Sequence, residues 1–361
     1  MPGIRRVGIV QYGLGSVGQA LVRQVLAGRK PLAGRRALQV VHVALADSES
    51  ALVDGAGLTD ATLEGALLAK SRGLGLDGLP GARRRDPLQP IVPAGAPRRL
   101  VAVDVTAADG MEAVALDAVS RGWGVVLANK RPLAASLEAF RRLVASRRLR
   151  YEATVGAGLP WIEALAHLLD TGDRVLRLEA SVSGTLGFLC WQLEEGVPLS
   201  AALAEARARG YTEPDPRDDL GAADVQRKAL ILARTLGHAL DWRDLPAEPL
   251  YPPAWQSLSR EQFLAELPGL DRAYAERMAA AQAVGRTLRY VVEIEGQRCS
   301  AGLQEVERGS ALGRLRGATC LAAFHTERYQ PAPLVISGPG AGAGVTAAAV
   351  YSDIIALGME L

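Results

Sequence analysis

Cysteine, lysine, asparagine and aromatic residues are all scarce in this chain of 361 residues. The three cysteines (Cys190, Cys299, Cys320) lie far apart with no Cys-x-x-Cys pair. That excludes a disulfide framework and a paired-thiolate zinc site, and it fits a reducing, cytoplasmic setting. Four scattered histidines (His42, His167, His238, His325) show no metal-ligand spacing. An excess of one charge is also missing. With 41 basic and 39 acidic residues, net charge +2 and 49% hydrophobic composition, the chain is neither a globally basic nucleic-acid binder nor a disordered segment. Pro331 to Ser352 is uncharged over a bilayer's length, but its three prolines and four alternating glycines predict a loop followed by a helix, not a membrane span. A strand pattern starts within a few residues of Met1, so no leader is expected.

Only four of the 41 cations are lysines (Lys30, Lys70, Lys130, Lys228), and Asn129 is the only asparagine. Codon bias accounts for most of this. Where arginine serves almost everywhere a cation suffices, each remaining lysine is a candidate for proton transfer, because lysine can give up its proton and guanidinium cannot.

At about 100–200 residues per domain the length predicts two or three domains. Residues 5–11 form a short apolar run, followed by Gly13-Leu14-Gly15-Ser16-Val17-Gly18 and a helical pattern. Strand, Gly-x-Gly-x-x-Gly and helix in that order are the dinucleotide-binding context. The glycines permit a tight turn, close approach of a pyrophosphate and close helix packing. A second strand over Ala37–Leu45 leads to Asp47, placed to accept hydrogen bonds from an adenosine ribose and so to favour NAD. The basic insertion GRKPLAGRR before it is suited instead to a 2′-phosphate, so the choice between NAD and NADP stays open, leaning to NAD. Residues 71–99, rich in Gly, Pro and Arg, read as loop, and Arg83-Arg84-Arg85 as a solvated run within it. A strand ending at Thr106, a helix, and a strand ending before Asn129-Lys130 complete the repetition. The expected fold class is α/β: a Rossmann-type doubly wound parallel sheet over residues 1–150, completed by a C-terminal helix in 336–361, plus an α+β substrate and dimerisation domain over 151–335. Segments VLRLEASVS, YVVEIEG and LRGATCLAAFHTERY are its expected strands.

The densest chemistry lies in GYTEPDPRDDLGAADVQRKALILAR, residues 210–234. Prolines confine Glu213, Asp215, Asp218 and Asp219 to a loop, and a helix begins near Gly221 or Ala222. Asp224 and Lys228 are four residues apart on one flank of it, the spacing of a helical ion pair. A held lysine suits proton delivery to an alkoxide formed by hydride transfer, and the acidic loop suits a substrate ammonium. The parts are those of a dehydrogenase acting on an amino-acid carbonyl.

GLGSVG, ANKRPLA, YEATVGAGLP, VSGTLGF, GYTEPDPRDDLGAADVQRKA and GPGAGAGVTA, in this order, resemble the blocks of homoserine dehydrogenase. The resemblance covers nearly the whole chain and is weakest over residues 48–100. It implies NAD(P)-dependent interconversion of L-homoserine and L-aspartate 4-semialdehyde, in the route to threonine and methionine. Carried over by position, Lys228 matches the proton donor and acceptor, Glu213 the carboxylate holding substrate, Asp224 an acidic position orienting substrate or lysine, and Asp219 a partner of the substrate amino group. Gly184 and Thr185 match substrate positions. Lys130, with Thr106 and Gly342, matches the nicotinamide side of the cofactor, with a second catalytic role for Lys130. Glu152 and the carbonyls of Val155, Ala157 and Leu159 match a monovalent cation site, usually sodium. The resemblance also implies a homodimer. The sequence stops after the helix that follows GPGAG, so a short form is expected, without a C-terminal regulatory domain or an aspartate kinase fusion. Two other functions remain open: a related dehydrogenase using another amino-acid aldehyde, and a nucleotide-sensing regulator without catalysis. Aspartate-semialdehyde dehydrogenase is disfavoured because no cysteine sits in a nucleophile context.

Overall fold

Eight residues of the first apolar run form β1 (Arg5–Tyr12), buried on both faces from Val7 onward, as a central parallel strand must be. The structure, a computed structural model, describes residues 4–361. β1 feeds α1 (Ser16–Arg36), which packs beside β2 (Leu38–Ala46). The segment GRKPLAGRR belongs to α1, which runs 21 residues straight through it with Pro31 inside. The buried face Leu21, Val25 and Leu32 keeps its helical period across the proline, and that burial offsets the lost backbone bond. After β2 the chain turns back into β3 (Ser50–Val53), then α2 (Asp60–Ser71) and a two-residue strand β4 (Arg83–Arg84). β3 and β4 are antiparallel additions, neither visible in the sequence pattern. β5 (Arg99–Asp104), α3 (Met111–Ser120), β6 (Gly124–Leu127), α4 (Arg131–Ala134), α5 (Leu137–Ala145) and β7 (Leu149–Arg150) follow. The sheet order is β4-β3-β2-β1-β5-β6-β7, parallel from β2 through β7. β5 ends at Asp104, two residues before Thr106.

The second unit, Leu159–Gly340, contains α6 (Trp161–Asp170), β8 (Val175–Ser181), α7 (Gly184–Glu194), α8 (Leu199–Ala208), α9 (Arg217–Leu220) and α10 (Ala223–Thr235). It continues with α11 (Arg260–Glu266), α12 (Pro268–Ala283), β9 (Arg286–Glu295), β10 (Arg298–Glu307), β11 (Thr319–Thr326) and β12 (Leu334–Pro339). Its five strands form an antiparallel sheet, β10-β9-β8-β11-β12. Residues 308–317 fold onto part of one face, where Leu312 and Leu315 pack on Val291, Val306, Leu321 and Ala323. Arg289, fully buried, fixes that segment by donating to the carbonyls of Leu312, Gly313 and Leu315 and pairing with Glu194 at 2.5 Å.

α13 (Ala343–Glu360) returns to the first unit, which comprises the residues up to Gly158 together with Ala341–Leu361. It lies along α1, where Gly28 leaves room for Tyr351: a Cβ there would sit 2.6 Å from the Tyr351 hydroxyl. Two boundary segments fall differently from the sequence reading. Tyr151–Gly158 goes with the first unit, where the Glu152 amide donates to Asp353 on α13 at 3.0 Å. Residues 336–340 go with the second, because β12 runs through Pro339. Among the described residues no helix is long and apolar enough to cross a membrane.

Candidate active site

Gly13 opens the turn after β1 at φ +101°, a conformation that favours glycine, and a Cβ there would stand 3.0 Å from Val105 and Thr106. Gly15 caps α1 in extended conformation with no side-chain cap, and the space around its α-carbon is open. Gly15 and Ser16 are exposed, Val17 packs on the core, and Leu14 packs in the cluster that includes Leu63 and Leu76. The first backbone N–H groups of α1 therefore meet an open cradle with the positive end of the helix dipole, a fit for a pyrophosphate.

Asp47 follows β2, but both oxygens of its carboxylate are engaged within the protein. Oδ1 accepts from the amides of Glu49 and Ser50, and Oδ2 accepts from the Leu76 amide at 2.9 Å and meets Lys70 Nζ at 2.7 Å. Burial works to raise its pKa, yet Lys70 and the three amides outweigh that and hold it below the ordinary range. The sequence reading gave Asp47 to the ribose and held Lys70 among the candidates for proton transfer; the structure joins the two in a staple. That staple also gives residues 71–99 a role. Leu76 is tied to Asp47, Arg85 stacks over Tyr12 and donates to the Asp47 carbonyl, and the Tyr12 hydroxyl accepts from Ile91. The segment is a strap pinned over the carboxyl ends of β1 and β2.

At the ends of β5 and β6, buried Asp104 accepts from the Thr106 amide (2.9 Å), the Thr106 hydroxyl (2.7 Å) and Asn129 Nδ2 (3.0 Å). Burial pushes its pKa up, against those three bonds. Asn129 Nδ2 also donates to Ala108 O, and its Oδ1 accepts from the Arg131 amide. Thr106 and the half-buried Lys130, N-cap of α4, are thus fixed at neighbouring strand ends. Gly342 is the exposed N-cap of α13 at φ +132°. Glu152 is buried in a short 3-10 turn, and Val155 and Ala157 follow it through a sharp bend, with positive φ at Gly156 and Ala157. Leu159 opens the second unit. No cluster of three or more His, Cys, Asp or Glu suited to a metal occurs among the described residues.

In the second unit, the spacing of Asp224 and Lys228 on α10 becomes an ion pair at 2.8 Å. Lys228 Nζ also donates to the Val182 carbonyl at 2.7 Å, so two of its three N–H groups are held. The side chain is 13% exposed. Burial alone would lower its pKa, but the charge and hydrogen bond of Asp224, with Asp219 adding, carry it above the ordinary value. Half-buried Asp219 accepts from the Glu213 amide at 2.8 Å and is pushed up by burial. Glu213 is exposed. Asp215, in contrast, is taken by Arg217. Thr185, buried at the start of α7, donates to the Tyr211 carbonyl at 2.5 Å and so ties α7 to the acidic loop. Gly184 lets Ala318 approach, with a Cβ there meeting its carbonyl at 3.1 Å. Two supporting residues escaped the sequence reading, Asp104 and Val182. A lone carboxylate inside an apolar strand was the signal for the first; a backbone carbonyl leaves none.

Two family models match the chain: the homoserine dehydrogenase NAD-binding domain over residues 13–152 and homoserine dehydrogenase over 160–355. Among curated proteins, the bifunctional aspartokinase/homoserine dehydrogenase of Haemophilus influenzae is 36% identical across 95% of this chain, and a maize chloroplastic counterpart 40% across 72%. The chain spans 42% and 29% of those two relatives. The homoserine dehydrogenase of Paracoccidioides brasiliensis is 38% identical across 72% of this chain and 74% of its own length. Among solved structures, a Candida auris protein described as of unknown function superposes with TM-score 0.84 at 28% identity, covering 98% of each chain. A hyperthermophilic archaeal homoserine dehydrogenase in complex with NADPH gives 0.74 at 23% identity over 99% and 98%, a likeness of fold.

Proposed function

Because the chain belongs to the homoserine dehydrogenase family, we propose that it interconverts L-homoserine and L-aspartate 4-semialdehyde with NAD or NADP. The observation that carries the reading is the Lys228 ammonium, fixed by Asp224 and the Val182 carbonyl with one N–H left to give. The glycine turn would hold the pyrophosphate of the dinucleotide, whose reduced nicotinamide would supply a hydride for the aldehyde carbon. Lys228 delivers its third proton to the carbonyl oxygen as negative charge develops there, and its raised pKa keeps it charged for that step. After transfer the neutral amine sits against Asp224, which favours prompt reprotonation. Glu213 and Asp219 supply carboxylates for the substrate ammonium, with Thr185 and Gly184 shaping the loop beside them. Thr106, Lys130 and Gly342 line the nicotinamide side in this reading. Since Asp47 is already neutralised by Lys70, the leaning toward NAD has lost its support, and NADP is admitted equally. A monovalent cation on Glu152 and the carbonyls of Val155, Ala157 and Leu159 is consistent with hard-oxygen ligation. Three free cysteines suit a reducing compartment, and pairing of two copies is included in the proposal. Homoserine oxidation assayed in parallel with NAD and NADP tests the reading: turnover with either supports it, and tight dinucleotide binding without turnover overturns it.

A further inference from the structure

Beneath the glycine turn lies a polar chain that the chemistry above does not use. Gln11, on β1, is fully buried. Its Nε2 donates to the carbonyls of Gly13 at 2.9 Å and Gly18 at 3.1 Å, the first and third glycines of the motif. Its Oε1 faces His42 Nε2, on β2, at 3.0 Å. His42 is also fully buried, and burial with the nearby charge of Arg29 pushes its pKa down to about 3, so the ring is neutral. Nδ1 is buried without a hydrogen-bond partner. The one ring proton therefore sits on Nε2, where Gln11 Oε1 can only accept. This fixes the amide's orientation, with both amide protons aimed at the glycine carbonyls.

The two ends of the turn are in contact: a Cβ on Gly18 would stand 2.3 Å from Gly13 O and 3.0 Å from Gln11 Nε2. An apolar residue would fill the same space, as Val7 and Ile9 do elsewhere on β1, without the cost of desolvating two polar side chains. We propose that Gln11, oriented by His42, is a positioning residue for the dinucleotide: it ties Gly13 to Gly18 and so holds the free N–H groups of α1 in the arrangement a pyrophosphate needs. The inference rests on the dinucleotide reading of the turn and deepens it.

The test is calorimetric binding of NAD and NADP to the full chain, alongside unfolding midpoints and steady-state constants. Gln11→Leu removes both donors at similar volume. It is expected to weaken both dinucleotides by on the order of tenfold, as loss of one or two net hydrogen bonds would. The dinucleotide KM should rise while kcat and the homoserine KM hold. His42→Leu leaves the donors but frees the amide and should show a smaller loss, and His42→Gln, which keeps an N–H donor, should recover most of it. If Gln11→Leu does not fold, the His42 pair decides alone: equal binding by His42→Leu and His42→Gln overturns the proposal. Wild-type affinity in folded Gln11→Leu also overturns it. A wild-type chain that binds neither dinucleotide overturns the function proposed above instead.

Discussion

Lys70 Nζ lies 2.7 Å from Asp47 Oδ2, and the pair joins the end of β2 to the last turn of α2. Lys70→Met should cost about 1–2 kcal/mol, since a largely buried carboxylate loses its cation but keeps three amide donors. Asp47 has a folded pKa below its unfolded value of about 4. Its contribution is present above that unfolded value and is lost as pH falls through the folded one. The stability gap between wild type and Lys70→Met, measured by urea unfolding, should therefore shrink on acidification below about pH 4. A gap constant with pH would show that the pair contributes nothing through charge.

Asn129→Leu should destabilise by about 1–3 kcal/mol, because it removes a donor from the buried Asp104 carboxylate and leaves Ala108 O without that partner. Thr106 remains bonded to Asp104 through two donors, so the fold should survive. Lys130, next in sequence, loses the turn that Asn129 Oδ1 makes with the Arg131 amide. Denaturation curves with kcat/KM for each dinucleotide check both halves: loss of stability without change in kcat/KM would confine Asn129 to the fold.

What the sequence made legible was whatever depends on near neighbours. The glycine turn is set by three residues within six positions, and the pairing of Asp224 with Lys228 by the pitch of one helix. What it hid depends on partners far along the chain. GRKPLAGRR reads as a basic insertion before β2, but the packing of Leu32 and the approach of Tyr351 at Gly28 carry α1 through it and past Pro31. β12 looks like loop because of Gly338 and Pro339, and it becomes a strand by pairing with β11. Asp47 sits at the ribose position by sequence, yet Lys70 and Leu76 claim it from 23 and 29 residues away.

Arg289→Met should be among the costliest single changes in the second unit. Glu194 is 3% exposed and would lose its 2.5 Å partner, keeping only Arg316 at 3.3 Å and Arg308 at 3.5 Å, both on its solvent side. Breaking a buried pair from one side costs about 3–5 kcal/mol, and the two outer arginines place this case near the lower end. The carbonyls of Leu312, Gly313 and Leu315 lose one donor each at the same time, keeping the Leu315 amide on Leu312 and Arg316 on Gly313 and Leu315. Combining Arg289→Met with Glu194→Met should cost less than the two single changes added together, since the orphaned charge is gone. Additive unfolding free energies would refute the coupling.

Lys228→Arg keeps the positive charge and should still abolish most turnover. A guanidinium stays protonated at any working pH, and its planar fork does not reproduce the paired bonds to Asp224 and the Val182 carbonyl. Loss of a positioned acid is worth on the order of 10²–10⁴ in kcat, with dinucleotide affinity unchanged. Asp224→Asn separates charge from position. It removes the attraction that carries the Lys228 pKa upward and leaves the burial that lowers it, so the pKa should fall. The neutral amine, the form that accepts a proton during homoserine oxidation, then appears at lower pH, and the rising limb of the oxidation profile moves toward acid. The falling limb of the reductive profile, which needs the ammonium, moves the same way. A pH profile for Asp224→Asn that does not shift, with Lys228→Arg as active as wild type, would remove proton transfer from Lys228 altogether.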